Sequence, residues 1–208
     1  MYYLSIKESG KAKQNVKRSI FIGNSFYIES EEKAKGYIKE ISEENKNATH
    51  NCWAYRVLSN NNVISNYSDA GEPHGSAGKP IFSSIEKMNL HNVVIIVTRY
   101  FGGVKLGVRG LIDVYKNTAL ESISNTYIYN YSDGSKVTFE LSYKYWDEFN
   151  RLFKEKIDFS VNNLDFLTNI TATLSLKKKN REKILSYLNG KKINLLKEEK
   201  ITFIGRIK

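Results

Sequence analysis

His50, Asp69, Glu72 and His74 bring titrating groups together at short spacing, and three of the four lie in one loop, SDAGEPHGSAGKP, residues 68 to 80. The loop also holds both prolines of the chain, Pro73 and Pro80, and the glycines Gly71, Gly75 and Gly78. Several chemistries suggest themselves. Two carboxylates can act as general acid and base if their surroundings separate their pKa values. His50, Cys52, Asp69, Glu72 and His74 could be drawn together around a metal, but no CxxC or HExxH spacing supports such a site. His50 and Cys52 lie two apart on a strand, so they share a face roughly 7 Å apart, too far for a nucleophile to hand its proton to a base. Nor is the loop a Walker motif, because Pro73 takes the place of a required glycine and Pro80 follows Lys79 where a Ser or Thr would hold magnesium. No catalytic residue, metal or cofactor is therefore assigned. Cys52 is expected to be a small buried apolar group. The polar loop surface comprises His50, Asn51, Asp69, Glu72, His74 and Ser76.

A second stretch, TRYFGGVKLGVRGL (98 to 111), delivers Arg99 from an apolar strand into a turn containing Gly102, Gly103 and Gly107. Glycines there permit positive φ and let a ligand approach the backbone amides of a helix start, which favour anions. Lys105 and Arg109 lie where a positive charge opposes the helix dipole unless something negative binds. Arg99, Lys105, Arg109 and the three glycines are thus candidates for phosphate or nucleic-acid contacts. The alternative is a tight turn whose basic residues face water. Packed side by side, the two stretches would form one rigid polar surface, with Asp69 and Glu72 orienting Arg99 or Lys105.

These residues need a scaffold. VKRSIFIGNSFYI (16 to 28) reads as a β-hairpin turning at Gly23 and Asn24. A Ser30 cap, acids in the first turn and an apolar stripe of Ala34, Tyr37, Ile38 and Ile41 predict a helix covering a sheet. CWAYRVL (52 to 58) is a strand whose Trp53 and Tyr55 are expected in the core, and NVVIIVTRYF (92 to 101) is a central strand buried on both faces. A helix from Leu106 to Ser124 turns Leu111, Val114, Tyr115, Thr118 and Ser122 inward. After a composition change near residues 127 to 135, the order strand, helix, strand, strand, helix, strand predicts a ferredoxin-like βαββαβ module, its second helix capped by Asn180 and stopped by Gly190. The expected domains are 1–130 and 131–208, in an α+β chain with an α/β two-layer N-terminal domain.

The formal net charge of +10 suits a polyanion partner, but only seven of the 32 basic residues are Arg, and codon drift in an A/T-rich genome would enrich Lys, Asn and Ile alike. No run of about 18 apolar residues reads as a membrane span. The N-terminus lacks the pattern of a secretory signal, and the single cysteine fits a reducing compartment, so a soluble cytoplasmic protein with no membrane partner is expected.

SIFIGNSF, ATHNCWAYRV, SDAGEPHGSAGKPIF and VVIIVTRYFGGVKLGVRGL resemble the signatures of the Impact family, whose bacterial members are YigZ-type two-domain proteins. The likeness covers most of residues 15 to 125. It implies an N-terminal domain like the fourth domain of elongation factor G and the GHMP kinases, and a C-terminal domain like the fifth domain of that factor. Eukaryotic relatives regulate translation through a partner system that does not transfer to a bacterial-type chain. His74 stands where a small residue is common and Arg109 where glycine is usual, and Ala70 stands where the family has a second acid, a loss that weakens any paired-carboxylate mechanism. The resemblance and the residues together lead to a non-enzymatic RNA-binding or ribosome-associated regulator of translation. Alternatives are an enzyme or binding protein for a small phosphorylated metabolite or nucleotide, and a protein-interaction module in stress regulation.

Overall fold

A segment apolar at every position from Val93 to Val97 has to be covered on both faces, and in the computed structural model it lies in the middle of a five-stranded antiparallel sheet. The structure describes residues 2–59 and 62–206. It divides into one unit built from Tyr3–Tyr129 and another from Asn130–Gly205.

The first unit begins with β1 (Tyr2–Ile6), β2 (Gly10–Val16), β3 (Ser19–Tyr27) and α1 (Glu31–Glu44). It continues through β4 (His50–Ser59), β5 (Asn62–Ser68), α2 (Gly78–Lys87), β6 (Val93–Tyr100) and α3 (Gly107–Ser124). The sheet order is β2-β3-β6-β4-β5. The period-2 alternation of β6 sends Val93, Ile95 and Val97 into a core shared with Ile81, Ile85, Leu111, Val114 and Tyr115 of α2 and α3. Val94 and Ile96 point the other way, toward Ala34 and Ile41 of α1. The two-layer expectation therefore gains a third layer, since α1 and the α2–α3 pair take opposite faces. Ser30 caps α1 as expected, accepting from the Lys33 amide at 3.3 Å. Trp53 stacks on the buried Tyr55, both on the α1 side. Leu111, Val114, Tyr115, Thr118 and Ser122 are all buried on α3.

The first hairpin turns elsewhere than expected. β3 runs straight through Gly23 and Asn24, and the chain reverses at Lys17 and Arg18, whose φ angles are 44° and 67°. Gly23 is a packing position: a Cβ there would stand 2.9 Å from the Thr118 carbonyl oxygen of α3. Helix proximity selects that glycine, and the two-residue turn adopts the left-handed geometry that matches strand twist without glycine.

The second unit contains β7 (Ile128–Leu141), α4 (Tyr143–Phe153), β8 (Phe159–Phe166), β9 (Ile170–Lys177), α5 (Lys178–Gly190) and β10 (Leu195–Arg206). Its strands follow the order β7-β9-β8 with β10 on β7, the arrangement of a ferredoxin-like βαββαβ module. Val137, Phe139, Leu141, Ile170, Ala172 and Leu174 share a core with Phe149 of α4 and Ile184 and Leu188 of α5. Asn180 does not cap α5. The helix starts at Lys178, and Asn180 is buried in its first turn, donating to the Asp158 carbonyl at 3.1 Å. The expected stop, Gly190, is the last residue of the helix.

A cavity at the start of helix α3 as candidate functional site

Strand register assembles the site's floor. Arg99 continues the Val93, Ile95, Val97 series, so its side chain emerges on the α3 face, with Phe21 of β3 and His50 of β4 as its cross-strand neighbours. The guanidinium carbon lies 5.4 Å from the centre of the Phe21 ring and 5.1 Å from that of Phe101. Arg99 is only 5% exposed, and its charge is met by Glu72 of the Pro-bounded loop, with Nη1 donating to Oε1 at 2.6 Å. Tyr115 of α3 donates its hydroxyl proton to the same oxygen at 2.8 Å. The loop and the glycine turn thus meet at one buried ion pair.

Asp69 has another task. Partial burial alone would raise its carboxyl, but the amides of Gly75, Gly78 and Ala77 more than offset that and hold it below the usual carboxylate range. Oδ1 accepts from Ala77 at 3.0 Å and Gly78 at 2.8 Å, and Oδ2 accepts from Gly75 at 2.8 Å. Asp69 is therefore the N-terminal cap of α2, delivered from outside the helix, because Ala77 at the cap position has no side-chain acceptor. Pro80 falls in the first turn of α2, where a missing amide proton is harmless. The expected charge-assisted partner of Arg99 is Glu72 alone.

The start of α3 is different. Leu106 occupies its cap position without a side-chain hydrogen bond, and the first turn holds no acid. This end opens on a cavity of about 400 Å³ lined by Thr49, His50, Glu72, Pro73, Arg99, Phe101 and the segment Lys105–Val108 with Leu111. Gly107, with φ of 76°, supports the turn into the helix. The Arg99 Nε–H is buried and has no hydrogen-bond partner.

The candidate residues separate accordingly. His50, Glu72, Arg99, Lys105 and Gly107 line the cavity. Arg109 is exposed on α3 and His74 is exposed on the loop, its Nδ1 3.9 Å from Asp69 Oδ2, and neither lines the cavity. Asn51 points to the opposite face of the sheet, accepting from Thr98 Oγ1 at 2.7 Å. Ser76 is buried inside the loop, donating to the Pro73 carbonyl at 2.6 Å. Gly102 serves backbone packing: a Cβ would sit 2.0 Å from the Arg18 carbonyl oxygen, so only glycine lets the Lys17–Arg18 turn lie against it. Gly103, with φ of 83°, faces open space. Tyr115, Phe21 and Phe101 also belong to the site, although their residue types and spacing do not single them out; Thr49 lies at the start of the ATHNCWAYRV stretch that carries the Impact resemblance. The signal available for Tyr115 is a phenol at an inward position of α3, whose hydroxyl needs an acceptor once buried.

Acid–base and nucleophilic groups here are engaged. Burial pushes the Cys52 thiol up to about 12, and it donates to the Asp69 carbonyl. Burial also drives the Tyr115 hydroxyl far above its usual range. His50 Nδ1 lies 2.9 Å from the Ala70 carbonyl. Among the described residues, no cluster of three or more His, Cys, Asp or Glu side chains could hold a metal ion. The arrangement sets a helix start without an acid in its first turn, and Lys105, beside a cavity that Arg99 and its carboxylate partner Glu72 also line.

Residues 17–123, which include every cavity residue, match the Impact N-terminal domain. The chain belongs to the Impact family. Impact family member YvyE of Bacillus subtilis is 38% identical over 123 residues, 59% of this chain and 56% of that protein. A family member from Thermus thermophilus is 40% identical over 108 residues, 52% of this chain and 56% of its own. YigZ of Escherichia coli is 31% identical over 104 residues, 49% of this chain and 50% of its own. The match therefore spans about half the length of these Impact relatives. A crystal structure of a hypothetical protein, 22% identical, aligns over 94% of this chain and 96% of its own with a TM-score of 0.62, and shares the fold.

Proposed function

We propose that this Impact-family chain is a non-enzymatic regulator of translation that associates with RNA or the ribosome and reads phosphate at the start of α3. The observation that carries the reading is the uncapped, acid-free start of α3, opening on a cavity with Lys105 at its edge and Arg99 on its floor. The first amides of α3, the helix dipole and Lys105 favour an anion there, and Arg99, its charge already paired with Glu72, adds a donor. The net charge of +10 favours the same class of partner at long range. The engaged state of Glu72 and Cys52 favours binding over catalysis. No described helix is long and apolar enough to cross a membrane.

The test is cosedimentation with ribosomes and with free RNA over a salt series, using wild type and Lys105→Ala/Arg109→Ala. These two side chains are exposed, so the fold is left alone. Binding should fall steeply with salt, and the double variant should bind more weakly with a shallower slope, by about one to two units of the log–log plot. Absence of binding at low salt for wild type would overturn the reading.

A further inference from the structure

The Nε–H of Arg99 needs an explanation. It belongs to a charged side chain only 5% exposed, and it has no partner. Buried polar groups are mostly paired in native proteins, and a donor left over beside a cavity has room there for an acceptor. The ring centres of Phe21 and Phe101 lie 5.4 and 5.1 Å from the guanidinium carbon, and neither ring carries an oxygen or nitrogen that could accept from Nε–H. Glu72 is turned to Nη1 and shared with Tyr115. Beside this donor the cavity carries the amide end of α3 and Lys105. These are donors or cations, set against the single Glu72 carboxylate that pairs with Arg99, and they line an open cleft whose volume falls within the range of small-molecule sites, about 300–1,000 Å³.

The remaining lining is apolar: Pro73, Phe101, Leu106, Val108 and Leu111. Phe101 is 45% exposed and Val108 is 52% exposed. An aromatic ring with a guanidinium near it and half its surface open is a stacking platform for a base. The depth of Arg99 decides which phosphate can enter. A phosphodiester within a strand carries a sugar on both sides and stays at the surface. A terminal phosphate, with its chain on one side, enters such a cleft further toward Arg99 than a phosphodiester does.

We propose that this cavity binds the phosphate of a nucleoside 5′-phosphate, free or at the 5′ end of an RNA, with Arg99 Nε, Lys105 and the first amides of α3 on the phosphate and Phe101 against the base. The proposal rests on the phosphate-reading assignment of the same surface and adds the kind of phosphate.

The experiment measures binding of five probes to the full chain by calorimetry: adenosine 5′-monophosphate, adenosine, inorganic phosphate, and one oligoribonucleotide with either a 5′-phosphate or a 5′-hydroxyl. It includes Val108→Glu, which puts a carboxylate in the first turn of α3, a helix-favouring position, so the fold is kept while the anion site is filled. It also includes Phe101→Ala. Expected is at least about tenfold tighter binding of the 5′-phosphate oligonucleotide than of its hydroxyl form, a difference of about 1.4 kcal/mol. Adenosine 5′-monophosphate should bind more tightly than adenosine or inorganic phosphate. Val108→Glu should abolish both preferences with an unchanged or raised melting temperature, and Phe101→Ala should weaken the nucleotide more than inorganic phosphate. Equal binding of the two oligonucleotides, unaffected by Val108→Glu, overturns the terminal-phosphate proposal and leaves RNA association standing. Binding of the mononucleotide with neither oligonucleotide upholds the pocket and overturns RNA association. Failure of every probe overturns both.

Discussion

Glu72 should be the most stability-sensitive polar side chain of the N-terminal unit. Its oxygen Oε1 receives Arg99 at 2.6 Å and Tyr115 at 2.8 Å, and the ion-paired side chains are 6% and 2% exposed, so water screens them little. Glu72→Ala leaves a buried guanidinium without its carboxylate, which costs about 3–5 kcal/mol. It also strips the acceptor from a buried hydroxyl, worth a further ~1–3 kcal/mol. The cavity beside the pair gives water a route to the vacated space, so the expected loss is near the lower end of the combined range, about 4 kcal/mol. Against a typical total of ~5–15 kcal/mol this leaves about 1–11 kcal/mol, a large fractional loss. Glu72→Gln keeps an acceptor for Tyr115 while removing the charge and should lose about 2–3 kcal/mol; Tyr115→Phe should lose about 1 kcal/mol. The assay is urea unfolding followed by tryptophan fluorescence in a Trp146→Phe background, so that Trp53 reports the N-terminal unit alone. A loss below about 1 kcal/mol for Glu72→Ala would refute the reasoning, since an ion whose removal matters that little is not holding a buried partner.

Other outcomes follow from the same geometry. Asp69→Asn should destabilise by about 1–2 kcal/mol at neutral pH, since three amides lose a charged acceptor. Because the folded-state pKa of Asp69 is depressed, its contribution is fully present above the unfolded value of about 3.9 and is lost as pH falls through the folded value, so wild type and Asp69→Asn should converge in acid. Gly102→Ala should lose about 3 kcal/mol or more in chemical denaturation, because the added carbon meets the Arg18 backbone at 2.0 Å. Gly103→Ala, in open space at φ 83°, should lose only about 1 kcal/mol, the ordinary left-handed penalty. Cys52, fully buried with its thiol pushed up to about 12, should be alkylated by iodoacetamide at pH 8 only as fast as the unit opens, so labelling should accelerate with urea.

Where local rules act alone, the fold could be read directly. The Ser30 cap, the apolar β6 run and the inward stripe from Leu111 to Ser122 each depend on residues within a few positions of one another, and each stands as expected. Failures came where a distant partner decides. Helix α2 is not legible in the sequence because its cap, Asp69, lies eight residues before Ala77 and no local cap marks the start. The edge strand β5 has six exposed residues followed by a partly buried Ser68, so it carries little of the alternation that burial imposes elsewhere. Gly23 reads locally as a turn, whereas its reason, the backbone of α3, is about a hundred residues away. At the site, the meeting of the two loops and the pairing of a loop carboxylate with Arg99 were foreseen from charge and spacing. That Asp69 caps α2 instead, and that Tyr115 completes the pair, depends on how α2 and α3 pack, which spacing does not encode.

The central claim, that the start of α3 receives a phosphate, is tested most directly by titrating isotope-labelled protein with adenosine 5′-monophosphate and following amide and arginine Nε–H signals by NMR. The account predicts saturable shifts of the Gly107, Val108 and Arg109 amides together with the Arg99 Nε–H. Saturable shifts confined to residues outside this cavity, or no shift at millimolar nucleotide, would contradict it.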